Sequence, residues 1–159
     1  MNDLPSPASP PTPLWILDSN VVLDWWLFAS PIGLALGSAI QGGRARWLRT
    51  AAMRDELSHV LAHRDFGRWT TAARALQPLP AELDHYAQDI PPPPTGGAHE
   101  IARWRCRDPD DQKFIDLARS QPGCWLLSRD RAVLKLASKA RAAGFHIVVP
   151  EQVPLNTAD

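Results

Sequence analysis

The sequence has few cysteines, no long apolar run and no net charge, and each shortage excludes a class of protein. Its 159 residues include two cysteines, Cys106 and Cys124, which form no CxxC pair, so neither a zinc ribbon nor a disulfide scaffold is expected. No apolar run approaches the roughly 20 residues that a membrane span requires. The first residues lack the basic-then-apolar layout of a secretory signal. We therefore expect a cytoplasmic protein with reduced thiols and no membrane partner.

The charge of the chain is balanced in total but uneven in kind. Lys plus Arg is 17 and Asp plus Glu is 17, so a whole-chain basic footprint for nucleic acid is absent. However, 14 of the 17 cations are arginine, whose planar guanidinium suits bidentate binding of phosphate. If several acids hold a metal ion, the charge left on the rest of the surface is positive.

Proline is concentrated in two places, and these divide the chain. Residues 1–13 are rich in proline, serine and threonine, which predicts a flexible N-terminal tail. Pro91–Pro94, followed shortly by two glycines, predicts a long loop within a single domain that spans residues 14–150. Residues 151–159 are predicted to form a C-terminal tail.

Short apolar runs alternate with amphipathic segments through the predicted domain. This alternation predicts a parallel sheet with helices on both faces, that is, a three-layer α/β/α fold. The predicted strands cover residues 14–17, 44–49, 124–127 and 146–149. The predicted helices cover residues 21–29, 33–40, 51–62, 70–76, 81–87, 108–119 and 130–143.

Acidic residues fall where the strands of such a sheet end. Asp18 directly follows the first strand, and Asp130 follows the 124–127 strand after two residues. Asp111 lies in the first turn of a predicted helix, and Glu56 lies within another helix that could direct it to the same edge. Carboxylates that converge there repel one another unless a cation compensates. Oxygen-only ligands suit Mg²⁺ or Mn²⁺, which can promote phosphodiester hydrolysis.

Four short motifs resemble those of PIN-domain ribonucleases, and they occur in the same order along the chain. They are the segments Leu17–Asp24 around Asp18, Asp55–Leu57 around Glu56, Cys106–Phe114 around Asp111, and Leu127–Asp130. The resemblance runs from about residue 14 to residue 149. The third motif is similar to that of a bacterial branch whose members are toxin components of toxin–antitoxin pairs (VapC-like).

The resemblance implies a metal-dependent endoribonuclease with a PIN-like fold, which leaves a 5′-phosphate and a 3′-hydroxyl at the cut. It implies RNA as the substrate, Mg²⁺ or Mn²⁺ as the cofactor, and a protein antitoxin as a partner. By position, the metal-binding and catalytic acids are Asp18, Glu56, Asp111 and Asp130. Ser128 would help to orient the last acid, and Asn20 would brace the loop after the first strand.

Several assignments stay open at this stage. Asp108 precedes Pro109, which is typical of a helix N-cap, so it can be a cap, an auxiliary site residue, or both. Asp110 is an additional acid beside Asp111, and the sequence does not decide which carboxylate of residues 108–111 contacts metal. Asp18 could also act only as the cap of the following helix.

Arginines and tryptophans suggest contacts beyond the acids. Arg105, Arg107 and Arg129 are candidate RNA-binding residues, although the first two fit a solvated edge equally well. Trp25 and Trp26 cannot both point inward from one helix, so one of them is a candidate contact in a homodimer.

Two other functions are compatible with the sequence. One is a catalytically silent PIN-like module that binds RNA or a protein partner. The other is a small-molecule phosphatase on a similar sheet, although Asn20 stands where the aspartyl-phosphate type has a second Asp.

Overall fold

A five-stranded sheet forms the centre of the computed structural model, which describes residues 10–155. All paired strands are parallel, and their order across the sheet is β3-β2-β1-β4-β5. The strands are β1 (Leu14–Leu17), β2 (Arg46–Arg49), β3 (Ala87–Asp89), β4 (Trp125–Leu127) and β5 (His146–Val148).

Helices connect these strands in chain order. They are α1 (Ser19–Trp26), α2 (Pro31–Gln41), α3 (Ala51–His63), α4 (Thr70–Ala75), α5 (Ala81–Tyr86), α6 (Ala98–Arg103), α7 (Gln112–Arg119), α8 (Arg131–Leu134) and α9 (Ala137–Ala143). Short 3-10 turns occur at Gly67–Trp69, Pro109–Asp111 and Pro150–Gln152.

Two hydrophobic clusters cover the two faces of the sheet. Trp15 and Leu17 of β1 pack with α1 and α2 on one face, whereas Ile16 packs with α7 on the other face. This division follows from the strand itself, in which successive side chains point to opposite faces. The predicted three-layer α/β/α fold with a central parallel sheet is confirmed.

Helices α1 and α2 form a tight corner beside the sheet. A Cβ atom on Gly37 would lie 2.1 Å from Nε1 of Trp25, so the corner requires glycine at this position. Trp25 is buried and Trp26 is half-buried against the same core. Trp26 is therefore the more exposed of the two, and the homodimer contact stays a prediction. Among the described residues, no single helix could span a membrane; only α1 and α2 together, bent by 94°, meet the length and composition criteria.

The structure corrects several predicted boundaries. The helix predicted over residues 81–87 ends at Tyr86, and Ala87–Asp89 forms a strand that sequence analysis does not predict, paired with β2 at the edge of the sheet. The predicted helix over 130–143 is divided into α8 and α9 by a turn at residues 135–136. The domain continues past residue 150, because Val153 is buried in the core. Of the two predicted tails, residues 1–9 and 156–159 lie outside the described part of the chain.

A buried arginine attaches β3 and α5 to the rest of the sheet. Arg49, at the end of β2, is only 2% exposed, and it donates to Asp89 and to Asp84, each at 2.6 Å. Both carboxylates are roughly half exposed, so the cation has lost much more hydration than its partners. The interaction holds an edge strand that has little apolar surface of its own.

We predict that the two partners of Arg49 act redundantly. Asp84→Asn or Asp89→Asn alone should lower the free energy of unfolding by no more than about 1 kcal/mol, since the other carboxylate still pairs with the buried cation. The double substitution leaves that cation without a carboxylate partner and should cost about 3 kcal/mol, more than the sum of the single effects. Urea denaturation of the four proteins checks this, and additive effects would contradict it.

Candidate metal centre

The candidate site lies at the middle of the sheet, at the carboxyl ends of β1 and β4. The chain builds the sheet outward from β1 in one direction and from β4 in the other, so the strand order reverses between these two neighbours. Such a reversal leaves a crevice beyond the strand ends, which is where open α/β sheets bind ligands.

Asp18 occupies this crevice because it immediately follows β1. Its backbone N–H donates to the Leu127 carbonyl oxygen (3.0 Å), and its carboxylate accepts from the Ser128 hydroxyl (2.7 Å). Asp18 is also the N-cap of α1, with a longer contact from the Asn20 backbone N–H. Burial raises the pKa of Asp18, and the charges of Glu56 and Asp130 add to that effect, while these hydrogen bonds oppose it.

Asp108, Asp111 and Asp130 each place one carboxylate oxygen within 4.8 Å of the others. Oδ2 of Asp111 is buried and has no hydrogen-bond partner. Burial raises the pKa of Asp111 to about 7, with contributions from the charges of Asp18, Asp130, Asp108 and Glu56. These five carboxylates therefore share one electrostatic environment, and Asp111 is the least compensated of them.

Ser128 connects Asp18 to this group. Its hydroxyl is fully buried, donates to Asp18, and accepts from the Asp130 backbone N–H at 3.0 Å. Asp130 in turn caps α8, because its Oδ1 accepts from the Ala132 N–H at 2.7 Å. The cap leaves the second oxygen of Asp130 for another ligand, so capping and metal binding are compatible at this residue.

Glu56 is engaged by two side chains at the edge of the group. One oxygen accepts from the Ser19 hydroxyl (2.6 Å), and the other forms an ion pair with Lys113 (2.7 Å). The Lys113 ammonium also contacts the backbone carbonyl of Asp110. Lys113 therefore supplies a positive charge directly beside the carboxylates.

The structure brings together the four acids predicted from sequence, but it groups them differently. Asp108 joins Asp111 and Asp130 in the tightest group and also caps the 3-10 turn through Asp110 N–H (3.0 Å). Asp18 and Glu56, both predicted to bind metal, lie outside that group, and each already has side-chain partners. Asp110 is exposed and does not belong to the group.

Two other sequence assignments change in the structure. Asn20 accepts from the Arg64 guanidinium (2.9 Å), so it connects α1 to the end of α3 rather than to the strand loop. Arg129 binds Asp24 at 3.1 Å and Glu151 at 2.7 Å. Since two carboxylates already neutralise its guanidinium, Arg129 is not suited to the predicted role in RNA binding.

Sequence reasoning missed three residues that support the site. Ser19 and Lys113 both hold Glu56, and Gln112 binds the backbone of Trp104 and Cys106 at the start of the third motif. Each is adjacent in sequence to a predicted acid or two residues from it. The sequence shows that these residues lie close to the motifs, but it does not show their partners. Glu56 lies 37 positions from Ser19 and 57 positions from Lys113, so these contacts are apparent only in the fold.

The donor set fits a hard divalent cation. The tightest group consists of carboxylates alone, as Mg²⁺ and Mn²⁺ prefer. An unpartnered, buried carboxylate oxygen such as Oδ2 of Asp111 is costly unless something binds it. Both observations are consistent with a site for a divalent ion.

Residues 15–132 match the PIN domain family, and the match includes all five acids. This region covers most of the chain, so the protein belongs to the PIN domain family. Membership supports a nuclease with a carboxylate metal site. No curated protein matches the chain significantly.

We predict a characteristic pH dependence for the metal-free protein. The folded-state pKa of Asp111, about 7, lies above its ordinary value of 3.8, so the folded state holds this proton more tightly than the unfolded state does. The contribution of Asp111 to stability should therefore fall as the pH rises from about 4 to about 7 and stay constant above that range.

Asp111→Asn removes this titration, which gives a matched comparison. As the pH rises from about 4 to about 7 in the presence of a chelator, the Tm of the variant should increase relative to the Tm of the wild type. Adding Mn²⁺ at neutral pH should reduce this difference in Tm, because the ion relieves the repulsion in the wild type. A difference that does not vary with pH would contradict the assignment.

Proposed function

We propose that the protein is a divalent-metal-dependent endoribonuclease that uses Mg²⁺ or Mn²⁺. The observation that carries this proposal is the group of Asp108, Asp111 and Asp130, in which a buried oxygen of Asp111 has no partner. The family supports nuclease chemistry, and the sequence motifs resemble those of ribonucleases in particular.

The residues of the site would have two roles, metal binding and positioning. Asp108, Asp111 and Asp130 would hold the metal ion, with Asp18 adjoining them. When bound, such an ion lowers the pKa of a water molecule and stabilises the negative charge on the leaving oxygen. Ser128 keeps Asp18 and Asp130 in fixed positions, because one hydroxyl bonds to both residues.

Lys113 would act on the substrate as well as on the acids. Its ammonium lies at the border between the carboxylates and the neighbouring surface, where it neutralises Glu56. A phosphate that approaches five acids meets strong repulsion, and a nearby cation reduces it. We therefore assign Lys113 to orienting Glu56 and to lowering the electrostatic barrier to RNA.

We predict that Asp111→Asn lowers the kcat/KM for RNA cleavage with Mn²⁺ on the order of 10²- to 10³-fold, because an ion-binding charge is lost. Asp18→Asn should abolish cleavage while the Tm stays equal or rises, since repulsion is relieved. Asp110→Asn is the matched control, because that carboxylate is exposed and outside the group. Cleavage of a labelled single-stranded RNA measures all three.

Full activity in purified Asp111→Asn or Asp18→Asn protein would refute the assignment of the site. If the wild type binds RNA but no cleavage is detected with Mg²⁺ or Mn²⁺, the silent RNA-binding module becomes the better description. If it instead hydrolyses small phosphate esters and leaves RNA intact, the phosphatase alternative is favoured.

We further propose that the chain is the toxin of a toxin–antitoxin pair, and this proposal depends on the sequence resemblance. A protein antitoxin would then cover the acidic crevice, with a basic side chain directed at the carboxylates. The concentration of negative charge around Asp111 is the feature that such a side chain would recognise.

Expression of the chain in a bacterial host provides the test. We expect the wild-type chain to arrest growth and Asp111→Asn to allow it at equal protein level, because only the former cleaves cellular RNA. Growth curves after induction, with immunoblots to confirm equal expression, measure the difference. Equal growth of the two strains removes the toxin proposal but leaves the nuclease proposal intact.

A further inference from the structure

A groove of about 660 Å³ lies beside the metal centre, between the loop at residues 92–96 and α7. Lys113 lines this groove and also pairs with Glu56, so the groove opens directly next to the carboxylates. Its volume is within the range of sites that bind small organic ligands or short segments of a polymer.

One wall of the groove is apolar. It is formed by three consecutive prolines, Pro92–Pro94, and by Ile101, which is 40% exposed and is one of two large apolar side chains so exposed among residues 10–155. Proline rings are already constrained, so they present apolar surface at little cost in conformational entropy. This wall suits an apolar or weakly polar part of a ligand.

The other wall carries four cations and one carboxylate, Asp116, which accepts from Gln112 at 2.9 Å. Two of the four cations have no partner among residues 10–155. Arg119 pairs with Glu100 and Lys113 pairs with Glu56. By contrast, Arg105 and Arg107 are exposed and make no hydrogen bond or ion pair through their side chains within residues 10–155. Two uncompensated guanidinium groups therefore face a groove that adjoins an acidic site.

Gln112 fixes the position of this arginine pair. Its side chain accepts from the Cys106 backbone N–H at 2.6 Å and donates to the Trp104 carbonyl oxygen at 3.1 Å. Arg105 and Arg107 both line the groove, and so does Cys106, the buried residue between them. The pair is thus held in advance by the first residue of α7.

We propose that this groove binds the single-stranded RNA that flanks the scissile phosphate, with phosphates on Arg105 and Arg107 and a base against the proline wall. The inference rests on the proposed ribonuclease function. Single-stranded nucleic acid combines regularly spaced negative charge with exposed, weakly polar base faces, which matches the arginines on one wall and the apolar surface on the other. An acidic peptide offers the charge but not the faces, and an RNA duplex keeps its base faces stacked inside.

Equilibrium binding of a labelled, mixed-sequence single-stranded RNA tests the proposal. Fluorescence anisotropy is measured with the full chain in a chelator, over a series of salt concentrations. Arg105→Ala/Arg107→Ala should weaken binding on the order of tenfold and reduce the slope of log K against log salt by about 1.4, since each phosphate contact on a single strand contributes about 0.7.

Matched variants separate charge from other effects. Arg74→Ala/Arg141→Ala removes two exposed arginines from α4 and α9, away from the groove, and should bind like the wild type. Arg105→Lys/Arg107→Lys should largely restore the slope, because the positive charge is kept. Ile101→Asn should weaken binding without changing the slope, because it removes apolar surface and no charge.

Several results would overturn the proposal. They are equal slopes for the groove and control variants, equal affinity for single-stranded and duplex RNA, no RNA binding by the wild type at low salt, or equally effective competition by polyglutamate. The last result would identify a site for acidic peptides instead. If the arginine variants cleave RNA with Mn²⁺ as fast as the wild type, the RNA-binding role of the groove is also refuted. If RNA binding depends on the groove arginines but no cleavage occurs, only the nuclease function is refuted.

Discussion

The partial burial of several carboxylates close to one another is the constraint on which the site depends. Asp18 and Asp111 both have raised pKa values, and in each case burial is the largest cause and neighbouring acids add to it. A fold that gathers such groups must compensate them or lose stability. The compensation comes from short-range donors that follow the strands and helices, above all Ser128, Ser19 and Lys113.

The hydrogen-bond donors are shared unequally among the carboxylates, and this difference determines where a metal ion would bind. Asp18 and Glu56 are each held by side-chain donors, and Asp130 caps a helix. Asp111 alone among these has a buried oxygen without any donor. The held acids therefore have fixed positions, while the remaining unsatisfied charge is concentrated where a divalent ion would bind. The same difference makes Asp111 the most informative residue to substitute.

The sequence predicted the features that depend on local chemistry and missed those that depend on tertiary pairing. β1 and β4 are apolar runs followed by polar residues, so both the strands and the acids at their ends were predictable. β3 has no apolar run, since it is an edge strand fixed by backbone pairing and by Arg49. No proline or glycine marks the turn between α8 and α9, and neither the pairing of Glu56 nor that of Arg129 has a local signature.

The placement of the arginines follows from the same electrostatic argument. An arginine that lies beside carboxylates pairs with them, as Arg129 does with Asp24 and Glu151 outside the five-acid group, and its charge is then neutralised before a phosphate approaches. Arg105 and Arg107 form no such pair within residues 10–155, and Gln112 attaches their backbone segment to α7 through hydrogen bonds to Cys106 and Trp104. The segment from residue 104 to residue 113 thus carries acids for an ion and cations for a polyanion side by side. A chain with zero net charge can bind both a cation and a polyanion because its acids and its cations form adjacent but separate groups.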